Sequence, residues 1–456
     1  MRSLVKHKIA FSVAGDCIAI IIALFLSMHL SFKKEELSSQ LIMDNASGLI
    51  LLLLPVLLIL FFVRGYSNYH IQLRFRIMRQ MLLIFLGLFL SAIFTTFTFF
   101  LFREAVPRTV LLLFYLFSPI LMVVMRYLTN LMTPITTSNL LIIGPRERFK
   151  VIEDMTNSRR YLCSKVFGLL SENQLPENTT SHPNCADYSE LIAVIDQRNI
   201  DHIVLATDLI NTELTRLLVI CAQKKIKISR FIQIIEDISG QIPIEYLDDH
   251  WFIFEFGSKN FHYFWYAKRL VDLSIAVVGI ILVFPFLLLA AVFIKLDSPG
   301  PIFYSQIRTG RYNKLFRAWK LRTMIDGADN NNVHWTLKDD DRITRVGKWL
   351  RKMRFDEVPQ LINILKGEMS LIGPRPEAIS LVEKYTEAIP YYSERHMVSP
   401  GITGWAQINY PYGNSIEDSL QKLKFDFYYI KNRSVMLDAV IFFRTIRTVL
   451  TGKGAM

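Results

Sequence analysis

Cysteine is scarce in this chain, and its placement excludes two kinds of site. The 456 residues include four cysteines, Cys17, Cys163, Cys185 and Cys221, with no C-x-x-C pair among them. A disulfide framework needs many cysteines in a short chain, and a structural zinc site needs paired ligands at short spacing. Neither pattern is present, so the sequence fits a reducing compartment.

Acidic residues are too few to balance the basic ones. The chain has 52 Lys and Arg against 40 Asp and Glu, which gives a formal net charge of +12. Such a surplus fits a protein beside anionic lipid or anionic substrates. Nucleic acid is the competing class of partner, but the long apolar segments argue against it. The chain length predicts two or three domains.

Charge is also absent from four apolar runs in the first third of the chain. These runs are Cys17 to Leu30, Ser47 to Val63, Met81 to Leu101 and Val110 to Val124. The second and third are long enough to cross a bilayer, and the other two become so when they are extended toward Ile9 and Tyr127. A cleaved signal peptide does not fit, because three more runs follow the first. We therefore predict a four-helix transmembrane region over residues 1–130.

Basic residues in the connecting loops predict the orientation of this region. The N-terminus and the second loop are basic, whereas the first loop has only Lys33 and Lys34 beside Glu35 and Glu36. The positive-inside rule then places both ends of the region in the cytoplasm. A plain anchor is favoured over a transport path, because nothing polar inside the four runs suggests such a path. Asp16, in the extended first run, is the exception and lies near the end of that run.

The composition becomes that of a soluble domain from Ser138 onward. Strand-like stretches at "NLLIIG", "HIVLATD" and "KIKISRF" alternate with helical spacing, as in "TELTRLLVICAQKK". This alternation predicts a doubly wound, Rossmann-like α/β domain over residues 138–255. A dinucleotide fingerprint needs three glycines, whereas this turn reads G-P-R-E-R-F with Gly144 alone. A structural or regulatory role is therefore favoured over nucleotide binding.

A fifth apolar run, Ile275 to Ile294, is long enough to span a bilayer and contains Pro285 near its middle. An ordinary spanning helix with a proline kink would place the rest of the chain on the far side. Basic residues flank the run on both sides, however, from Lys268 and Arg269 before it to Lys295 after it. We therefore predict a re-entrant membrane helix over about residues 270–296 that bends near Pro285 and returns to the same face.

An acidic pair, Asp356 and Glu357, lies in a densely basic region near the C-terminus. The preceding helical pattern carries Arg345, Lys348, Arg351 and Lys352 on one face. Two interpretations stay open and are compatible: an amphipathic helix on anionic lipid, and a cationic pocket around a phosphate substrate. Pro359 is expected to break or bend the helix that carries the pair.

Adjacent carboxylates can divide two tasks, because neighbouring helical side chains point about 100° apart. One carboxylate can act as a covalent nucleophile toward phosphorus. The other can hold Mg²⁺, which binds one or two carboxylates together with substrate phosphates. Surrounding Arg and Lys are expected to keep Asp356 ionised and to neutralise charge during transfer.

The region from about Lys268 to Met456 carries further motifs in a fixed order. They are "KRLVDL", "PGPIFYSQIRTG", "FRAWKLRTM", "TRVGKWLRK", "FDEVPQLINILKGEMSLIGPRPE", "PGITGWAQIN" and "DFYYIKN". The region resembles the catalytic domain of the bacterial polyprenyl-phosphate sugar-1-phosphate transferases, the monotopic phosphoglycosyl transferases. The full layout resembles the long members of that family, with a transmembrane region, a Rossmann-like (CoA-binding-like) cytoplasmic domain and a catalytic domain, here over residues 265–456.

The resemblance implies a transferase that starts exopolysaccharide, capsule or O-antigen synthesis at the bacterial inner membrane, with its catalytic domain on the cytoplasmic face. Asp356 would attack the β-phosphate of a UDP-sugar and release UMP, and undecaprenyl phosphate would then take the phosphosugar. Glu357 would hold Mg²⁺. The implied substrate-binding residues are Lys320, Arg351, Arg375, Gln306 and Arg308, the last two with a less defined role.

One departure concerns the bend of the membrane helix, where family members often carry Ser-Pro and this chain has Phe284-Pro285. Pro285 would keep the helix break, while the serine hydrogen bond is lost. Two other classes remain as alternatives: an inactive membrane scaffold or regulator, and a membrane-bound nucleotide-sugar dehydratase. The sequence does not show which sugar is moved; the resemblance to the long members suggests glucose or galactose, and an N-acetylated sugar and a homo-oligomer stay open.

Overall fold

The computed structural model describes two compact units, Met1–Ser239 and Gly240–Met456. The described residues are 2–31, 84–85, 87–97, 107–132, 139–158, 166–169, 191–207, 212–257, 262–328, 340–411, 413 and 415–450. The boundary between the units falls inside the predicted 138–255 domain, so the stretch from Gly240 belongs to the second unit.

Apolar helices open the first unit: α1 (Arg2–Ser31), α2 (Gly87–Phe97) and α3 (Arg108–Met132). Within α1 and α3, the stretches Val13–Ser31 and Arg108–Thr129 are long and apolar enough to cross a membrane. This confirms the prediction of a membrane protein. The predicted run from Ser47 to Val63 lies outside the described residues, so the four-helix arrangement stays a prediction.

Helices α1 and α3 share a buried ion pair as well as an apolar core. The Arg126 guanidinium donates to both carboxylate oxygens of Asp16, with Nη2 2.6 Å from Oδ2, and both side chains are buried. A charge inside an apolar helix is costly unless it is paired, which explains how Asp16 is tolerated in the first run. Ala19, Ile20, Ala23 and Phe114 are among the residues of the apolar core that α1 and α3 share.

The α/β part of the first unit is a parallel four-stranded sheet in the order β2-β1-β3-β4. Its elements are β1 (Leu140–Ile143), α4 (Arg146–Ser158), β2 (Val166–Leu169), α5 (Leu191–Arg198), β3 (His202–Leu205), α6 (Thr212–Gln223), β4 (Lys227–Arg230) and α7 (Phe231–Ser239). Leu141 and Ile143 face a core with α5 and α6, whereas Leu140 and Ile142 face one with α4 and α7. Helices on both faces confirm the predicted doubly wound arrangement.

Strand order reverses between β1 and β3, which is where such folds usually bind ligands. Here Gly144 follows β1 at φ +155°, and a Cβ at that position would lie 2.6 Å from the Ala206 carbonyl carbon. Arg148 Nη1 donates to the Ala206 carbonyl at 2.8 Å. The glycine therefore serves the close approach of two protein backbones, which agrees with the absence of the full dinucleotide fingerprint.

A short connecting segment, Gly240–Gly257, begins the second unit and packs on its helices. It contains a 3-10 turn (Ile244–Tyr246) and α8 (Asp249–Gly257). Trp405 Nε1 donates to the Gly240 carbonyl at 2.9 Å, and the Ile242 amide donates to the Lys424 carbonyl at 3.0 Å. We call this segment the strap.

The strap is followed by α9 (His262–Asp297), a 36-residue apolar helix with Pro285 inside it. Its stretch Phe264–Asp297 is also long and apolar enough to cross a membrane. Ala276, before the proline, packs in a core with Phe316, Ala318 and Ile364. Ala290 and Ile294, after the proline, pack in a second core with Leu321 and Leu350. Both arms of α9 therefore pack against the same region of the second unit, which follows α9 in the chain.

An antiparallel hairpin and short helices make up that region. The elements are β5 (Phe303–Thr309), β6 (Leu315–Leu321), α10 (Arg345–Lys352), α11 (Gln360–Lys366), β7 (Ser370–Ile372), α12 (Ile379–Ala388), β8 (Gly401–Thr403), α13 (Trp405–Asn409), α14 (Ile416–Asn432) and α15 (Val435–Leu450). β5 pairs with β6, and β7 pairs in parallel with β8. The hairpin confirms the strand character predicted for "FYSQIRTGRYNKLFRAWKLRTM".

Candidate active site

The acidic pair occupies a 3-10 turn, Phe355–Glu357, between two helices. The chain leaves α10 through Arg354, which adopts a left-handed conformation at φ 57°. The expectation that Pro359 breaks the helix with the acidic pair is therefore wrong. The helix α10 already ends at Lys352, before the pair, and Pro359 is the N-cap of the next helix, α11. Proline is tolerated at a helix start, where no backbone N–H is required. The carboxylates thus lie on a tight turn and not on a regular helix.

The helix before the turn is fixed at its start. Thr344 caps α10 by accepting a hydrogen bond from the Gly347 amide at 3.0 Å, and Asp297 Oδ2, at the end of α9, accepts from the Val346 amide at 2.9 Å. A Cβ on Gly347 would lie 2.1 Å from the Thr323 carbonyl oxygen, so only glycine allows this contact. Exposed N–H groups at a helix start favour such acceptors.

Glu357 is the centre of a compact ionic cluster. Lys320 Nζ, from β6, and Arg375 Nη2, from the G-P-R-P loop after β7, each lie 2.8 Å from Glu357 Oε1. Glu357 itself is buried. Burial raises the pKa of this carboxyl, but Arg375 and Lys320 together outweigh that effect and hold the pKa well below its usual range. Glu357 is therefore an anion at neutral pH.

Asp356 has different surroundings from its neighbour. Its side chain is buried, and its Oδ1 atom has no hydrogen-bond partner among the residues that the structure describes. Burial raises the pKa of this carboxyl, with Glu357 acting in the same direction, and Lys320, Arg351 and Arg354 offset only part of the shift. The nearby cations therefore favour the ionised form of Asp356, as expected, but the net shift of its pKa is upward because burial has the larger effect.

Asn363 ties the helix after the acidic turn to the strand that carries Lys320. Its side-chain amide donates to the Arg317 carbonyl at 2.8 Å, and its Oδ1 accepts from the Trp319 amide at 3.2 Å. Arg269 of α9 donates to the Ile364 and Leu365 carbonyls at the end of the same helix. These contacts fix the position of the acidic turn relative to β6 and α9.

The other predicted site residues divide into two groups. Arg351, on α10, donates from Nε to Thr323 Oγ1 at 2.8 Å and lies close enough to Asp356 to affect its pKa. Arg308, on β5, donates to Gln306 Oε1 at 2.6 Å and to the Pro376 carbonyl at 3.2 Å. The structure thus brings Lys320, Arg351 and Arg375 to the carboxylates, whereas Arg308 contacts the loop that holds Arg375 and Gln306 contacts Arg308.

Sequence reasoning missed a buried group behind this loop. Arg395 donates from Nη2 to Asp426 Oδ2 at 2.8 Å and to the Arg375 carbonyl at 3.1 Å, and from Nη1 to the Tyr392 hydroxyl at 2.6 Å. A usable signal was present, because Asp426 begins the motif "DFYYIKN" in an otherwise apolar stretch. Its partner could not be identified without the fold.

The acidic turn fits Mg²⁺, the metal implied by the sequence resemblance. Among the described residues, no group of three or more His, Cys, Asp or Glu side chains could form an all-protein metal site. Mg²⁺ needs no such site, because it usually keeps waters and binds one or two carboxylates with substrate phosphates. The unpartnered Oδ1 of Asp356 and the anionic Glu357 supply oxygen donors of that kind.

Comparison with known protein families agrees with this arrangement. Residues 263–452 match the Bacterial sugar transferase family, and residues 68–229 match a CoA-binding domain family. The first match contains the whole acidic turn and the loop with Arg375. A Rhizobium leguminosarum bv. phaseoli protein, "Exopolysaccharide production protein PSS", is 40% identical over 194 residues, which is 97% of its length and 41% of this chain. The chain belongs to the bacterial sugar transferase family.

Longer relatives bear more specific names. An Aeromonas hydrophila "UDP-N-acetylgalactosamine-undecaprenyl-phosphate N-acetylgalactosaminephosphotransferase" is 43% identical over 244 residues, 53% of this chain and 57% of that protein. An Escherichia coli "UDP-glucose:undecaprenyl-phosphate glucose-1-phosphate transferase" is 40% identical over 190 residues, 41% of each chain. The matched stretches thus span about half the length of these two relatives.

Proposed function

We propose that this protein transfers a sugar-1-phosphate from a UDP-sugar to undecaprenyl phosphate and releases UMP. The observation that carries the proposal is the unequal treatment of two adjacent buried carboxylates. Glu357 is held by two cations, whereas Asp356 Oδ1 has no hydrogen-bond partner in the described part of the chain. The printed names of the relatives supply the donor and acceptor classes.

Asp356 is the proposed nucleophile. Its carboxylate oxygen would form a bond to the β-phosphorus of the UDP-sugar while the bond from that phosphorus to the bridging oxygen breaks, so that UMP leaves with the bonding electrons. An oxygen of undecaprenyl phosphate would then attack the same phosphorus. That second step would restore the Asp356 carboxylate and yield undecaprenyl diphosphate sugar, which would be the first membrane step of exopolysaccharide, capsule or O-antigen synthesis.

Lys320 and Arg375 supply the positive charge that phosphoryl transfer needs. Their distances of 2.8 Å from Glu357 keep both cations beside the proposed nucleophile, where they can bind the diphosphate oxygens. Arg351, on α10, favours the ionised form of Asp356. Mg²⁺ bound with Glu357 would neutralise further charge on the diphosphate.

We further propose that α9 enters and leaves one face of the membrane. Ala276 and Ile294 are eighteen residues apart, a rise of about 27 Å, which approaches the hydrocarbon thickness of about 30 Å. Both residues nevertheless pack against β6 or its neighbours. If α9 crossed the bilayer, β6 would enter the hydrocarbon with its charged Arg317 and Lys320, which is costly.

This arrangement supports the predicted domain limits and location. Residues 1–130 would form the transmembrane region, 138–255 the Rossmann-like domain and 265–456 the catalytic domain at the cytoplasmic face of the inner membrane. The exposed side of α10 carries Arg345, Lys348 and Trp349, which suits a headgroup layer with anionic lipid. The membrane-surface and phosphate-site interpretations of this region therefore support each other.

UMP release tests the proposed function. The full chain in lipid nanodiscs receives undecaprenyl phosphate, Mg²⁺ and one of three donors: UDP-glucose, UDP-galactose or UDP-N-acetylgalactosamine. We expect UMP with at least one donor, loss of activity in Asp356→Asn, and a phosphosugar adduct of the wild type when the acceptor is omitted. Turnover by Asp356→Asn would contradict the covalent route. Failure with every UDP-sugar would favour the scaffold, and conversion of the sugar itself would favour the dehydratase.

A further inference from the structure

The loop that carries Arg375 has few amides through which it could be held. Arg375 lies between Pro374 and Pro376, and proline has no backbone N–H. The Gly373 amide, at the start of the loop, donates to the Thr403 carbonyl at 2.9 Å, and from Pro374 onward the carbonyl groups provide the next points of attachment. The side chain of Arg375 reaches Glu357 at 2.8 Å, so a shift of this loop would move the guanidinium away from the acidic turn.

Four consecutive carbonyls of the loop accept hydrogen bonds from four different donors. The Pro374 carbonyl accepts from the Gly401 amide at 2.9 Å, and the Glu377 carbonyl accepts from the Thr309 amide at 3.2 Å. The two carbonyls between them accept from side chains: that of Arg375 from Arg395 at 3.1 Å and that of Pro376 from Arg308 at 3.2 Å. We call this set the carbonyl brace.

Arg395 is the most buried donor side chain of the carbonyl brace. It is 4% exposed, and its partner Asp426 is 1% exposed. One nitrogen, Nη2, serves both Asp426 and the Arg375 carbonyl, while Nη1 serves the Tyr392 hydroxyl. The planar guanidinium is suited to several hydrogen bonds in fixed directions. Removing both charges from water costs free energy, which is offset only when the buried pair has good geometry and further hydrogen bonds. The Tyr392 hydroxyl and the Arg375 carbonyl supply such bonds to Arg395.

We propose that Arg395 is a positioning residue, held by Asp426, that fixes the Arg375 backbone so that its guanidinium meets the substrate diphosphate beside Glu357. Arg308 supports the same loop from β5 and belongs to the same set, in place of the direct substrate role implied by the resemblance. The inference rests on the proposed function, because it gives Arg375 a diphosphate to bind.

A double-mutant cycle tests whether Arg395 acts through Arg375. The variants of the full chain are Arg395→Lys, Arg375→Ala and the double substitution, with Asp426→Asn as a second way to loosen the brace. Lysine keeps the charge of residue 395 but cannot present two nitrogens in the same plane. Arg444→Lys is the matched control, because Arg444 donates to Asn409 Oδ1 at 3.1 Å and is not one of the four donors that define the brace.

Each variant is measured for kcat, for KM of the UDP-sugar, for UDP affinity by calorimetry and for melting temperature. We expect Arg395→Lys to lower kcat/KM by roughly 10- to 100-fold, the usual scale for losing a residue that orients a site group. In the Arg375→Ala background the same change should cost less than about 3-fold. Arg444→Lys should leave kcat/KM within about 3-fold of the wild type.

Equal losses from Arg395→Lys in both backgrounds, paralleled by melting temperature, would show a purely structural role and overturn the inference. The inference would also be overturned if Asp426→Asn and Arg395→Lys folded normally and kept full kcat/KM. If the wild type released no UMP but bound UDP with the expected coupling, the proposed function would fail while the positioning role stood. A wild type that neither released UMP nor bound UDP would overturn both.

Discussion

The Lys320 ammonium lies 2.8 Å from Glu357 Oε1, and it shares that oxygen with Arg375. The two cations come from β6 and from the loop after β7, which are 55 residues apart in sequence, counting from 320 to 375. The Glu357 carboxylate thus holds together two positively charged side chains that would otherwise repel each other. Asp356 is buried without a hydrogen-bond partner for its Oδ1 among the described residues, which explains why the pKa values of the adjacent acids shift in opposite directions.

Replacing Glu357 by Gln should cost both activity and stability. The amide keeps the size of the side chain but leaves Lys320 and Arg375 without their anion, so we expect at least about a 100-fold lower kcat. Because both cations are partly exposed, the loss of unfolding free energy should be on the order of 1–3 kcal/mol. UMP release and thermal melting measure the two effects. Glu383→Gln, at an exposed position on α12, is the control and should change neither.

The pH dependence of activity should reflect the raised pKa of Asp356. Burial is the largest cause of that shift, and the nucleophile must be ionised to react. We therefore expect kcat/KM to fall on the acid side at a pH above the ordinary aspartate value of about 4. A profile of UMP release between about pH 4 and about pH 8 checks this. An acid limb centred at or below the ordinary value would contradict the assignment.

Stability should respond to pH with opposite signs at the two acids. The folded-state pKa of Asp356 is raised, so ionisation destabilises the fold as pH rises from the ordinary value through the folded one. The folded-state pKa of Glu357 is lowered, so its contribution is complete above the ordinary value and is lost as pH falls. Asp356→Asn should thus raise the melting temperature more at about pH 7 than at about pH 4, while Glu357→Gln lowers it most at about pH 7.

Much of this site was predictable because its residues are close in sequence. The turn with Asp356 and Glu357 and the loop with Arg375 lie within one continuous motif, and Lys320 lies in another. Local signals also predicted three of the four strands of the α/β sheet, since short buried runs bounded by Gly and charged residues favour strands, whereas β2 was missed. The membrane helices followed from length and the absence of charge.

Long-range pairing was not predictable in the same way. Nothing local indicates that Arg395 turns toward Asp426, or that Arg308 donates to the Pro376 carbonyl, because either side chain could equally face solvent. The turn between α10 and α11 was missed for a related reason. Arg354 has no residue-level preference for a positive φ, so tertiary packing decides its conformation.

Both ends of α9 should lie on the same side of the membrane. We expect single cysteines at Glu245, before α9, and at Glu383, after it, to resist a membrane-impermeant maleimide added to intact cells, in a chain whose four native cysteines are replaced. Both positions are exposed, so labelling should occur after lysis. Labelling at position 383 from outside, with position 245 protected, would show that α9 crosses the bilayer.

The Asp16–Arg126 pair should stabilise the contact between α1 and α3. Arg126→Leu leaves a buried carboxylate unpaired, which costs on the order of 3–5 kcal/mol when such a pair is broken. We expect less folded protein in membranes and a lower melting temperature in detergent. Exchanging the two residues, as Asp16→Arg with Arg126→Asp, should recover part of the loss. Full stability of Arg126→Leu alone would mean that the pair contributes little.

The strap should be required for the catalytic unit to fold. It buries Ile242, Ile244 and Trp251 in the second unit, and burying each such side chain contributes roughly 1.5–3 kcal/mol. Their sum, about 5–9 kcal/mol as an upper estimate, is comparable to the whole stability of a typical domain. Lys424 also pairs with Glu245, and Lys431 Nζ lies 3.1 Å from Glu255 Oε2.

A chain that starts at Gly240 should therefore remain folded and release UMP, whereas one that starts at His262 should aggregate. Trp251→Ala in the longer chain is the matched test, because it removes one anchor and should lower the melting temperature without changing the donor KM. Equal activity of the two truncated chains would show that the strap only connects the units.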